Sequence, residues 1–258
     1  MTLRMNDDFW TLARHCYGYG SWNASFWFIG PEQGGSMTEV PVRAAAFRKL
    51  DQDADGLCDC CEFHREILHA TGKDWCKQDA LPPLQHTWHY LMMTLMSYQG
   101  TVTLQNPPRG AAREAYKHPF KKYQRDEWGR SNGKTCVIER SGVSARSFKE
   151  SGTLRTLLSQ VERDEFDDIL LQRTAQITAQ ILKVGPEFVL IYSKSQHSYW
   201  ADLRSKGSRV SESPNEIFRV GRTLVAFAES RGPNNPRPDP WFNLGQELQK
   251  HRTEKHTN

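Results

Sequence analysis

Three short apolar runs confine this chain to few architectures: Phe26-Trp27-Phe28-Ile29, Phe188-Val189-Leu190-Ile191-Tyr192 and Thr223 to Ala228, each set between stretches of helical periodicity. Such runs of aromatic and β-branched residues, ended by Gly, Pro or polar turn formers, read as strands buried on both faces. Thr135 to Ile138 is a further, shorter one. Parallel strands need long crossovers, usually helices, so strands alternating with helices assemble into a mostly parallel sheet covered on both sides. The chain therefore reads as one α/β domain over residues 1–258, three-layer α/β/α around a central, mostly parallel four-stranded sheet.

Helical spacing covers residues 6–15, 40–50, 62–70, 84–98, 111–126, 160–184, 198–204 and 241–251. Gly72 and Gly185-Pro186 close two of these segments, as glycine and proline do at helix ends. Leu84, Trp88, Leu91 and Leu95 share one helical stripe and mark a core face. The Ser- and Gly-containing segment 141–151 reads as a loop able to reach over a cleft.

No apolar run approaches the roughly 20 residues of a membrane span. Residues 1–8 also lack the apolar core of a signal peptide, so a cytoplasmic protein with no membrane partner is expected. In that compartment the six cysteines, at 16, 58, 60, 61, 76 and 136, read as reduced thiols rather than a disulfide framework. Cys58, Cys60, Cys61 and Cys76 group closely enough to suggest zinc or an iron–sulfur cluster but lack paired C-x-x-C spacing, and no metal or cofactor is assigned. The net charge of +4 is unevenly spread: between Leu104 and Arg155, twelve Lys or Arg stand against five Asp or Glu, a surplus of +7. Tyr116, Phe120, Tyr123 and Trp128 interleave with those charges. A nucleic-acid backbone with stacked bases suits that pattern, as does an ordinary solvated face.

The first strand stops at Gly30-Pro31-Glu32-Gln33-Gly34-Gly35, a glycine-rich turn carrying one carboxylate. Open α/β sheets hold ligands outside such strand ends, so Glu32 would face a cleft; the same residues also suit a plain turn with Glu32 capping the next helix. Asp51, Asp53, Asp55, Gly56 and Glu62 fit the calcium-loop pattern, with Phe47 and Leu50 on the entering helix. A second such loop is missing and Cys58 replaces the aliphatic eighth residue, so the segment reads either as a lone calcium loop or as an exposed turn entering a helix.

The Gly30-to-Gly35 string, the turn after Tyr192 and the segment Ser230 to Pro236 resemble the active-site loops of the uracil-DNA glycosylase superfamily. Asp59-Cys60-Cys61-Glu62-Phe63-His64, Leu84-Gln85-His86-Thr87-Trp88 and Tyr123-Gln124-Arg125-Asp126 look like segments of one of its bacterial branches. Where most members carry a His-Pro pair, this chain has Glu229-Ser230-Arg231-Gly232-Pro233, so the histidine that steadies a departing uracil is missing. Among the branches the chain is most similar to the phage-defence glycosylases that act on glucosylated hydroxymethylcytosine. The resemblance implies a monofunctional DNA glycosylase in which Glu32 orients and partly deprotonates the attacking water. It also implies a substrate wall of Asn23, Pro31, Gln33, Gly34, Gly35, Tyr192 and Ser193, with Tyr19 and Trp22 as stacking partners for the flipped base. Ser230, Arg231, Asn234, Asn235 and Lys194 would hold DNA and fill the gap left by the flipped nucleotide. The implied partner is DNA, phage DNA with modified bases above all, bound by a monomer. The alternatives are a repair glycosylase for uracil or another deaminated base, and a catalytically silent DNA-binding or sensor protein.

Overall fold

The computed structural model describes residues 5–51, 54–72, 74–77, 80–103, 111–145, 158–192, 194–212, 215–228 and 239–252. In chain order these form α1 (Asp7–His15), β1 (Gly18–Tyr19), β2 (Phe26–Gly34), α2 (Val40–Leu50), β3 (Leu57–Cys58), α3 (Cys60–Glu66), α4 (Leu68–Thr71), α5 (His86–Tyr98), α6 (Ala111–Asp126) and β4 (Thr135–Ala145). There follow α7 (Gln160–Val184), β5 (Phe188–Tyr192), α8 (Ala201–Ser205), β6 (Ser208–Ser211), β7 (Glu216–Val220), β8 (Thr223–Ala228) and α9 (Asp239–Arg252).

The helix ends follow local chemistry. Asn6 caps α1 by accepting from Phe9 N–H, Asp59 caps α3, and a reciprocal Ser159/Glu162 capping box opens α7. Gly72 and Gly185 end α4 and α7 in the left-handed conformation, at φ 63° and 62°.

The fold is α/β, but its sheet has eight strands among the described residues rather than four, ordered β3-β1-β4-β2-β5-β8-β7-β6. β4, β2, β5 and β8 are mutually parallel and central. β1 runs antiparallel to β4, and β7 and β6 extend the other side as antiparallel strands. β7 and β8 close through the two-residue turn Gly221-Arg222, with Gly221 at φ 57° as a tight hairpin requires. Alternate residues of the central strands feed two cores. Phe26, Phe28, Val137, Phe188, Leu190, Leu224 and Ala226 face one core with side chains of α1, α2, α5, α6 and α9. Trp27, Ile29, Cys136, Ile138, Val189, Ile191, Val225 and Phe227 face the other with Ile177 and Ile181 of α7 and Leu203 of α8.

Two expected loops are strand. β2 does not turn at Gly30 but continues to Gly34, pairing Gly30 with Glu139, Glu32 with Ser141 and, past a register shift, Gly34 with Ala145. β5 ends at Tyr192, so beyond Gly30 the strand is paired on one side alone, which is where a proline without N–H is tolerated. The expected 141–151 loop is therefore strand up to Ala145, and its remainder lies outside the described residues. Nor are all thiols reduced: Cys61 and Cys76 form a disulfide with a Cα–Cα distance of 5.2 Å, while Cys16, Cys58, Cys60 and Cys136 are free and buried. Among the described residues no helix is long and apolar enough to cross a membrane.

Candidate functional site

The parallel register puts Glu139 of β4, Gly30 of β2, Tyr192 of β5 and Ala228 of β8 in one row at the carboxyl ends of the central strands. Gly30 has an ordinary backbone, so its glycine is a matter of space. A Cβ there would overlap both the Tyr192 hydroxyl and Glu139 Oε2. The hydroxyl donates to Glu139 Oε1 at 3.3 Å, and both side chains are buried, at 8% and 5% exposure. A carboxylate and a phenol thus lie against bare strand backbone where α/β sheets place their chemistry.

Two arginines anchor the strands here, Arg173 at this row and Arg43 at the far end of β2. Arg173 of α7, 1% exposed, donates to the carbonyls of Glu139 (2.8 Å), Arg140 (2.7 Å), Cys16 (2.7 Å) and Ala13 (3.3 Å), and its guanidinium lies over the Tyr17 ring at 4.0 Å. Burial pulls its pKa down to about 10, which leaves it charged at neutral pH. Arg43 of α2, 3% exposed, donates through Nη2 to Gly34 O at 2.9 Å and to Glu39 Oε2 at 2.8 Å, tying the far end of β2 to the helix that follows. Gly35, at φ 150°, leaves the room this pair occupies: a Cβ would come within 2.7 Å of Arg43 and 2.8 Å of Glu39. Beside Arg43 lies His64, both ring nitrogens buried without a hydrogen-bond partner, packed against Tyr19, Phe63 and Trp88. Burial, with a smaller push from Arg43, lowers its pKa to about 3, so the ring is neutral.

The expected site residues divide accordingly. Pro31, Gly34, Gly35 and Tyr192 gather at this end of the sheet, together with the backbone of Glu32 and Gln33. Asn23 does not: it precedes β2 and lines a cavity of about 250 Å3 with Ser25, Val184, Glu187 and Arg222 at the opposite ends of the strands. Trp22, half-buried, packs on Tyr17 and Trp27 and donates to Asp55 O. Tyr19 is 4% exposed and belongs to the core, where burial raises its pKa. Lys194 opens the 3-10 segment Lys194–Trp200; Ser193, Ser230, Arg231, Asn234 and Asn235 lie outside the described residues. In the basic segment, Phe120 and Trp128 are core residues at 0% exposure, whereas Tyr116 and Tyr123 are half-buried.

Sequence reasoning missed Glu139, Arg43 and Arg173. A charged residue directly after Val137-Ile138, and single arginines on the apolar stripes of α2 and α7, were the available signals.

Among the described residues no group of three or more His, Cys, Asp or Glu is arranged to hold a metal. In the candidate calcium loop, Asp51 accepts from Gly56 N–H and Asp55 from Leu57 N–H. Asp59 accepts from Cys61, Glu62 and Ser131 N–H and from Arg130 Nε, and Asp53 lies outside the described residues. No protein-family model and no curated protein matches this chain, so the glycosylase resemblance rests on its motifs alone.

Proposed function

We propose that this chain is a monofunctional DNA glycosylase that hydrolyses the N-glycosidic bond of a flipped-out modified base, with glucosylated hydroxymethylcytosine of phage DNA as the leading substrate. The observation that carries the reading is the position of the Gly30-to-Gly34 string: it runs along the carboxyl edge of the central parallel strands, in register with Glu139 and beside Tyr192. Water attacks the anomeric carbon of the sugar, the C1′–N bond breaks, and its electron pair leaves with the base. Glu32 takes the proton from that water and offsets the positive charge growing on the sugar. Glu139 suits the exocyclic amino group of a cytosine-type base, which donates where uracil presents an acceptor. That preference agrees with the missing His-Pro histidine, which serves uracil release.

The test is incubation of the full chain, and of Glu32→Gln, with uracil-containing DNA, unmodified DNA and phage DNA bearing glucosylated hydroxymethylcytosine, reading free base and abasic sites. Release from the glucosylated DNA, lost in Glu32→Gln, is the expected result. Release from uracil DNA alone would move the protein to the repair class. DNA binding without release from any substrate would overturn the enzyme.

A further inference from the structure

A second surface, built from three helices, has no part in the row at the strand ends. His86 and Tyr90 lie one turn apart on α5 with ring centroids 4.9 Å apart. Tyr90 stacks with Trp241 of α9 at 6.0 Å and 18° between planes, and with His89 at 5.5 Å and 24°. Tyr116 of α6 closes the group against His89 at 6.1 Å. His86 is exposed and Tyr90, Tyr116 and Trp241 are half-buried, with the Tyr116 hydroxyl turned into the protein. Lys117 sits close enough to His89 to contribute to its lowered pKa. The sequence of α6 carries five Lys or Arg (113, 117, 121, 122, 125) against Glu114 and Asp126, a surplus of +3, and Asp126 is paired with Arg125. Burial, then Tyr90 and Asp239 at the start of α9, raise the pKa of Tyr116.

Rigid polar aromatics beside a cationic helix face suit one class of ligand, a chain that alternates flat bases with phosphates. Ring faces stack on any base, and lysines offset the backbone charge. A duplex hides its base faces, so the occupant is unpaired. The surface is also tethered to the proposed site: α9 begins 11 residues after Ala228 (239 − 228), so its start lies within roughly 40 Å of the end of β8 even for a fully extended connection.

We propose that His86, Tyr90, Tyr116 and Trp241, with the lysines of α6, form a stacking platform for a single-stranded DNA segment. The assignment rests on the reading of the protein as one that acts on DNA, and it adds the state in which a strand is held.

The test is fluorescence anisotropy of a labelled 20-nucleotide single strand with the full chain, across a salt series. Tyr90→Leu and Trp241→Leu, which keep apolar volume and lose the ring, should each weaken binding about 10-fold, while Tyr90→Phe binds like wild type. Lys121→Gln with Lys122→Gln should flatten the salt dependence. Wild-type affinity in both leucine variants, with melting temperatures unchanged, would overturn the platform, and so would failure of the wild-type chain to bind the strand. Should Trp241→Leu not fold, Tyr90→Leu alone decides. Platform-dependent binding without base release would sink the glycosylase and leave the platform standing, whereas base release with ring-independent binding would do the reverse.

Discussion

The Tyr192 hydroxyl donates to Glu139 Oε1 at 3.3 Å over the one position, Gly30, where a side chain would separate them. A contact between strands β4 and β5 therefore passes across β2, and it exists because β2 carries no Cβ there.

Gly30→Ala should consequently be costly although its backbone angles suit alanine. The new methyl must displace a buried hydroxyl and a buried carboxylate, an overpacking cost of about 1–3 kcal/mol. Tyr192→Phe removes the nearest overlapping atom, the hydroxyl, and leaves the ring carbon Cζ at 2.5 Å, so the double variant should lose somewhat less than the sum of the singles. Urea denaturation of the four proteins reads that coupling. Strict additivity would mean the three residues do not share the space.

Arg173 should be among the least replaceable residues. Its guanidinium is buried and satisfied by four carbonyls, two from β4 and two from the end of α1 and the residue after it. Arg173→Met leaves those carbonyls buried without this donor, at about 1–3 kcal/mol for each one that finds no other partner. Arg173→Lys keeps the charge but not the fork, and should fall between. Equal stability of wild type and Arg173→Met would show that the carbonyls find other donors.

Apolar periodicity made the central strands and most helices legible: 111–126, 160–184, 188–192 and 223–228 stand as read. The outer strands carry no such signal. β1 and β3 are two residues long, and β6 is polar and largely exposed, so pairing alone defines them. Gly30 to Gly34 looked like a turn because glycine and proline normally break structure, yet here one neighbouring strand has ended and the chain can stay extended. Within the site, the Gly30 string was visible as a motif. Glu139 and Arg173 were not, because their roles depend on register and on carbonyls from distant elements that composition does not encode.

The Cys61–Cys76 disulfide spans 15 residues and links α3 to the segment ahead of α5. A cross-link of that span stabilises by about 3 kcal/mol in the loop-entropy account. Cys61→Ser with Cys76→Ser should lower stability by that amount, and a reductant should lower the melting temperature of wild type but not of the double variant. Thiol titration of the denatured, unreduced chain should find the four cysteines 16, 58, 60 and 136. Six titrating thiols would mean that the pair is reduced in the protein as isolated.

His64 predicts how the fold responds to acid. Its folded pKa is lowered to about 3 by burial, against about 6.5 in an unfolded chain. Above pH 6.5 both states are neutral and the residue has no effect on pH dependence. Below it the unfolded chain takes up a proton that the folded chain refuses, so stability falls as pH falls, by about 1.4 kcal/mol per unit, until the folded ring titrates near pH 3. His89, lowered to about 4 by burial and by His86 and Lys117, adds a smaller term of the same sign. His64→Phe keeps an aromatic ring among Tyr19, Phe63 and Trp88 and cannot take up the proton. Urea titrations at pH 7, 6, 5 and 4 should therefore show the variant losing less stability than wild type with each step down, the gap widening by up to one proton's worth per unit. Parallel pH profiles for the two proteins would show that His64 takes up its proton in the folded state and that the ring is not sealed from water.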